Sequence, residues 1–303
     1  MEFHLEHPLS HSSLHNDDAD DNTLPLPLFL VEFQHMPSSH YFLTLKSSAS
    51  LLSNRNFAIS SITQYSRKFD DPSLTYLAVN YLDRFLSSED MPQQQSKHWV
   101  LKLISLSCVS LSAKMRKPET SVCDLQVEGE MFDAQTIERM ENVVLGALKW
   151  RMRSVTPFSF FSFFISLFDL KEEDPSLLKH SLRSQATDLT FNLQHDIKFL
   201  EYKPSVIAGA ALLFNSSELC PLQFQCFSNR ICQCTYVNKE ELMECYKAIQ
   251  ERDAIGVEEN EGSSETAVNV LDHQFSSCGE SEKSITITAA SSPKRRKTST
   301  RRC

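Results

Sequence analysis

From Asp71 to Leu86 the chain reads Asp-Pro-Ser-Leu-Thr-Tyr-Leu-Ala-Val-Asn-Tyr-Leu-Asp-Arg-Phe-Leu, and its apolar side chains leave no broad wet face. An aspartate can cap orphan N–H groups and proline fits a first turn, so Asp71 and Pro72 predict a helix start. Leu74, Leu77, Val79, Leu82, Phe85 and their neighbours surround this helix with apolar surface, as expected of a buried central element. Asn80, Asp83 and Arg84 share one narrow stripe. A carboxylate on a helix this buried needs a partner.

The same pattern predicts further helices on both sides. One runs from Asn54 to about Phe69, with Phe57, Ala58, Ile59, Ile62 and Tyr65 at loose helical spacing. Another, from about Pro92 to Met115, sets Trp99, Leu103, Leu106 and Val109 among four serines small enough for close helix approach. Asp133 caps a helix to about Trp150. Thr156-Pro157 opens a phenylalanine-rich helix to Phe168, Asp174-Pro175 opens the next, and Lys203-Pro204 precedes an alanine-rich buried one. One short helix is expected between Cys220 and Val237. Asn238 with Glu241 reads as a capping box for a last helix ending near Gln250. Leu24 to Leu52, with three prolines, reads as a short docking segment ahead of the first domain.

Asp-Pro-Ser-Leu occurs at 71 to 74 and again at 174 to 177, each time opening the second helix of a group. The simplest layout is therefore all-α, two consecutive helical units split near Val155. Residues 1–23 carry six acids and no lysine or arginine, and read as disordered; 24–155 and 156–251 are the two units. Residues 252–303 read as a disordered acidic tail, closing in the basic run Lys294, Arg295, Arg296 and Lys297. That run beside Pro293 reads as a nuclear-import address.

Composition narrows the function. Six glycines in 303 residues favour long helices over a turn-rich β fold, and a net charge of −9 argues against coating nucleic acid. No secretory signal or membrane-length apolar run is visible, so the expectation is a soluble intracellular protein with reduced thiols among its nine cysteines. Cys226, Cys232 and Cys234 match no zinc spacing, so no metal is expected. Phosphate loops, nucleophile elbows and dinucleotide fingerprints are missing too, and no cofactor or catalysis is expected. What remains is a binding protein.

Three charges sit where the periodicity expects apolar residues. Asp83 has a candidate partner in Arg55, one helix earlier, as a structural ion pair. By spacing alone Lys114 reads as a solvated cation at a helix C-terminus and Glu141 as a residue at the edge of an apolar face.

Several stretches together resemble the D-type cyclins of plants. They are residues 76 to 86 as quoted above, Ser-Ala-Lys-Met at 112 to 115 and Arg-Met-Glu-Asn-Val-Val-Leu at 139 to 145, with Leu-Lys-Trp-Arg-Met-Arg-Ser-Val-Thr-Pro at 148 to 157 and Phe-Leu-Glu-Tyr-Lys-Pro-Ser at 199 to 205. The resemblance covers about Leu24 to Gln250 and implies tandem cyclin boxes, two five-helix bundles. It implies that Arg55 and Asp83 form a salt bridge inside the first box, that Leu103 packs its core, and that Lys114 and Glu141 contact a cyclin-dependent kinase, most simply an A-type plant kinase. Kinase inhibitor proteins are further implied partners; nucleic acid and membrane are not. A kinase needs its catalytic lysine paired with the glutamate of its C-helix, and the family's first box presses that helix into place at entry into S phase or division.

The chain departs from the family twice. No cysteine precedes Cys108, so the early Leu-x-Cys-x-Glu motif that docks on retinoblastoma-related protein is missing, as in a short subgroup. The tryptophan of the substrate-docking patch is replaced by Ser61, leaving Ala58, Ile59 and Ile62 as a weakened patch. Docking of retinoblastoma-related protein and of Arg-x-Leu substrates is expected to be weak. Ser292 before Pro293 fits proline-directed phosphorylation, and the tail reads as a degradation signal. Two rival readings are a scaffold that binds a kinase unproductively and a cyclin-fold transcription factor resembling general transcription factor IIB; the latter would need a basic face.

Overall fold

The central helix begins where its sequence says. In the computed structural model, which describes residues 26–69, 71–88, 97–116, 132–168 and 175–262, Asp71 Oδ1 accepts from the N–H groups of Ser73 (3.0 Å) and Leu74 (3.3 Å). The helix spans Pro72–Leu86, and ten of its fifteen residues are buried. It is the fourth of eleven helices among the described residues, α4 in chain order.

Around α4 stand α3 (Ala49–Ser66), α5 (His98–Arg116) and α6 (Ala134–Ala147). Two of the serines on α5 do what small size permits. Ser105 Oγ donates to the Ala58 carbonyl at 3.0 Å and Ser112 Oγ to the Leu74 carbonyl at 3.1 Å, so α3 and α4 approach without losing hydrogen bonds. α3 starts five residues before the expected Asn54, because the Ser48 side chain caps it by accepting from Leu51 N–H. α6 starts after the Asp133 cap but ends at Ala147, before the expected Trp150. Lys149 and Trp150 have φ of 53° and 59°, left-handed values that close a helix. Four long helices thus build the first bundle among the described residues.

Among the described residues the second bundle has five: α7 (Phe158–Ser166), α8 (Pro175–Leu193), α9 (Pro204–Leu219), α10 (Pro221–Cys232) and α11 (Lys239–Gly262). The Asp-Pro-Ser-Leu repeat does not carry a repeat of burial, since α9 rather than α8 is the inner helix here. Gly209 on α9 lets α11 close in, because a Cβ there would stand 3.0 Å from Leu242 Cδ1. The last helix departs from expectation in two ways. Asn238 Oδ1 accepts from the Glu240 and Glu241 N–H groups, while Glu241 reaches only the Asn238 side chain, so the reciprocal half of the capping box is absent. α11 also continues twelve residues past Gln250. The start of the expected disordered tail is therefore helical to Gly262, as its alanine and glutamates allow with no proline to stop them. Residues 1–23 and the rest of the tail lie outside the described residues.

The segment ahead of α3 is a strap on the second bundle. It comprises α1 (Leu26–Val31), a 3-10 turn (Glu32–His35) and α2 (Tyr41–Ser47). Phe29 enters the second core, with its ring 4.7 Å from Phe160 and 5.3 Å from Tyr236. Glu32 is buried and its two carboxylate oxygens accept from Ser205 N–H and Oγ–H, each at 2.8 Å, capping the first turn of α9 from a distant part of the chain. Burial pushes the Glu32 pKa up, and the Ser205 bonds oppose that rise. The linker between the bundles is held by α4: Tyr81 donates to the Met152 carbonyl, and Arg84 to the Arg151 carbonyl (3.0 Å) and Ser154 Oγ (2.8 Å). Among the described residues no strand occurs, and no helix is long and apolar enough to cross a membrane.

Candidate functional site

Lys114 lies in the last turn of α5 and Glu141 in the middle of α6, and the packing of those helices brings them together. Lys114 Nζ donates to both carboxylate oxygens of Glu141, at 2.8 and 2.6 Å. The Glu141 side chain is 7% exposed and that of Lys114 41% exposed, so a fixed acid stands behind an accessible ammonium. Met115 beside Lys114 and Trp150 just beyond α6 are exposed, Trp150 to 70%. The left-handed backbone of Lys149 and Trp150 is a strained conformation for residues other than glycine, and such strain gathers at functional positions. Sequence periodicity passed over Trp150 because it treated that residue as the last of a helix.

Arg55 and Asp83 form a second, fully buried constellation. Arg55 Nε donates to Asp83 Oδ1 at 2.8 Å and Nη2 to Oδ2 at 2.9 Å, the two-pronged geometry that suits a guanidinium and a carboxylate. Tyr41 of α2 adds its hydroxyl to Asp83 at 3.2 Å. Burial works against the Arg55 charge, but Asp83 beside it outweighs that and the guanidinium pKa ends above its ordinary value. The pair also reaches out of the first bundle. Arg55 Nη2 and Nη1 donate to the Gln194 and His195 carbonyls at 3.0 and 3.3 Å, and Gln194 Nε2 returns to the Tyr76 carbonyl at 2.7 Å. It ties the strap and both bundles at one point, not two helices only.

Leu103 is buried in the first core. The expected docking patch needs correction, since Ala58, Ile59 and Ile62 are 0%, 2% and 0% exposed and face α4 and α5 as core. A side chain without surface cannot meet a peptide. The partly exposed side of α3 carries Asn54 and Phe57, whose ring lies 4.7 Å from His98. Ser61 is buried and donates to the Phe57 carbonyl. Ser292 and the basic residues Lys294 to Lys297 lie outside the described residues.

Comparison with known proteins places these features. Residues 27–153 match the cyclin N-terminal domain and residues 155–281 the cyclin C-terminal domain. An Arabidopsis thaliana chain with the provisional name cyclin-D6-1 is 85% identical over 305 aligned positions, covering all of both chains. Cyclin-D6-1 of Oryza sativa subsp. japonica is 35% identical across 95% of this chain and 87% of its own. A viral cyclin from herpesvirus saimiri shares the fold, with a TM-score of 0.55 at 18% identity over 66% of this chain and 84% of that one. The chain belongs to the cyclin family, among the D-type cyclins of plants, and is a regulatory subunit of cyclin-dependent kinases.

Proposed function

We propose that this chain binds and activates an A-type plant cyclin-dependent kinase at the passage from G1 into S phase or division, supplying position and no chemistry of its own. The Lys114–Glu141 pair carries the reading. Its carboxylate is already desolvated and aligned, so turning ammonium and carboxylate toward kinase main-chain groups costs little further ordering. Exposed Met115 and Trp150 supply apolar contact around it, within an interface of roughly 1,500 Å². Seated on the kinase's C-helix, this face holds the lysine–glutamate pair that phosphoryl transfer requires.

Kinase inhibitor proteins bind the assembled complex, and retinoblastoma-related protein docks weakly. The missing Leu-x-Cys-x-Glu motif and the serine at position 61 support the second point. Co-expression with an A-type plant kinase, followed by phosphorylation of retinoblastoma-related protein, is expected to give an active complex. A complex that forms but stays inactive would make the chain a scaffold. The chain acts in the nucleus, directed there by Lys294, Arg295, Arg296 and Lys297. A fluorescent fusion with all four replaced by alanine is expected to remain cytoplasmic, and unchanged nuclear signal would remove that role.

A further inference from the structure

α5 leaves the core before it ends. Its buried run stops at Ala113, and the three residues that follow, Lys114, Met115 and Arg116, are exposed or half-buried. A last turn has no further turn to bond to, and it frays unless side chains hold it. Two ion pairs hold this one from different sides, since Lys114 and Arg116 stand about 200° apart round the helix. Lys114 ties the turn to Glu141 of α6. Arg116 ties it to α4, where its Nε donates to Asp71 Oδ2 at 2.8 Å. Asp71 is a firm anchor, because its other oxygen is held by the Ser73 and Leu74 N–H groups at the start of the central helix. The Arg116 and Asp71 side chains are 22% and 19% exposed, so this pair is better shielded from water than the Lys114 ammonium.

We propose that Arg116 and Asp71 are positioning residues for the kinase contact, holding the turn that carries Lys114 and Met115 while the kinase engages Lys114 and Glu141. The inference rests on the reading of Lys114 and Glu141 given above. When those two groups turn to kinase main-chain atoms, the tie from α5 to α6 loosens at the moment the turn has to stay in place. The Arg116–Asp71 pair closes on the cap of α4 instead and does not have to open. In the free chain either tie keeps the turn in place, so losing the Asp71 pair changes stability little. In the complex its loss is read as affinity. The central helix thus serves the site through its cap as well as through its buried face.

Asp71→Asn separates the tie from the cap. Asparagine caps a helix as well as aspartate does, but its amide nitrogen takes the place of Oδ2 and sets donor against donor at Arg116. In titrations of the full chain with the A-type kinase, Asp71→Asn and Arg116→Gln are each expected to weaken binding about fivefold, the worth of one shielded surface ion pair. Their combination is expected to be no weaker than either alone, because both break the same bond. Arg116→Lys, which still offers Asp71 a cation, is expected to bind within about twofold of the unmutated chain. Tm of each free variant should stay within about 4 °C. Unchanged binding by Asp71→Asn, a double variant weakened by the product of the single effects, no rescue by lysine, or a larger fall in Tm overturns the proposal. Lys114→Glu in the same titration separates the two levels. If it loses binding while Asp71→Asn keeps it, the tie alone is refuted; if it binds normally, the kinase-contact reading falls and the tie falls with it.

Discussion

Arg55→Ala is expected to lower the unfolding free energy by about 3–5 kcal/mol, the usual cost of stranding one member of a buried ion pair. The described helical part is about the size at which each kcal/mol moves Tm by roughly 2–4 °C, so a fall of about 6–20 °C should appear in a thermal melt. The cause is specific. Asp83, with its side chain 3% exposed, would keep only the Tyr41 hydroxyl, and the Gln194 and His195 carbonyls would lose their donor. The double change Arg55→Met with Asp83→Leu removes both charges and should recover most of the loss. It should not recover all of it, because those two carbonyls and the Tyr41 hydroxyl stay unserved at roughly 1 kcal/mol each. That remainder measures the ties to the strap and the second bundle apart from the pair within the first one. A fall below about 1 kcal/mol for Arg55→Ala would refute the assigned role.

The partnership of Asp83 with Arg55 was legible because a carboxylate on a helix with no wet face has few solutions, and the preceding helix carried a cation at reachable spacing. Its extension to Gln194 and His195 was not. No local period records which loop, some 140 residues away in sequence, comes to rest on a guanidinium. The failure at Ala58, Ile59 and Ile62 has a related origin. Spacings of three and four residues reveal an apolar face, but a face against α5 and a face against a peptide read alike in sequence. The strap was hidden by its prolines and shortness, yet Pro27 sits in the first turn of α1, where proline is tolerated, and tertiary contacts of Phe29 and Glu32 rather than propensity hold it. α11 ran long because acidic composition was read as disorder, although glutamate and alanine are also good helix formers. Lys114 and Glu141 illustrate the opposite limit. They stand 27 residues apart, each with an adequate local explanation, and only family resemblance assigned them jointly to a kinase contact before packing brought them within 2.6 Å.

Charge reversal at that pair should separate binding from folding. Lys114→Glu sets two carboxylates side by side and leaves Glu141, 7% exposed, without its cation, so Tm should fall, though by less than at Arg55 because the ammonium removed is 41% exposed. Helical content should be kept. Kinase binding should fall by about thirtyfold or more, because a charged group that bonds across an interface costs roughly 2–5 kcal/mol when lost. The paired exchange Lys114→Glu with Glu141→Lys is the decisive control, since it rebuilds the internal ion pair with its polarity inverted. Were the pair merely a structural tie between α5 and α6, the exchange would restore whatever the single change removed. If instead each end meets a kinase group of fixed sign, the exchange restores Tm and leaves binding lost. Co-purification of the kinase with the doubly exchanged chain, at the level of the unmutated one, would move the contact elsewhere on the first bundle and leave Lys114 and Glu141 as a surface pair of ordinary strength.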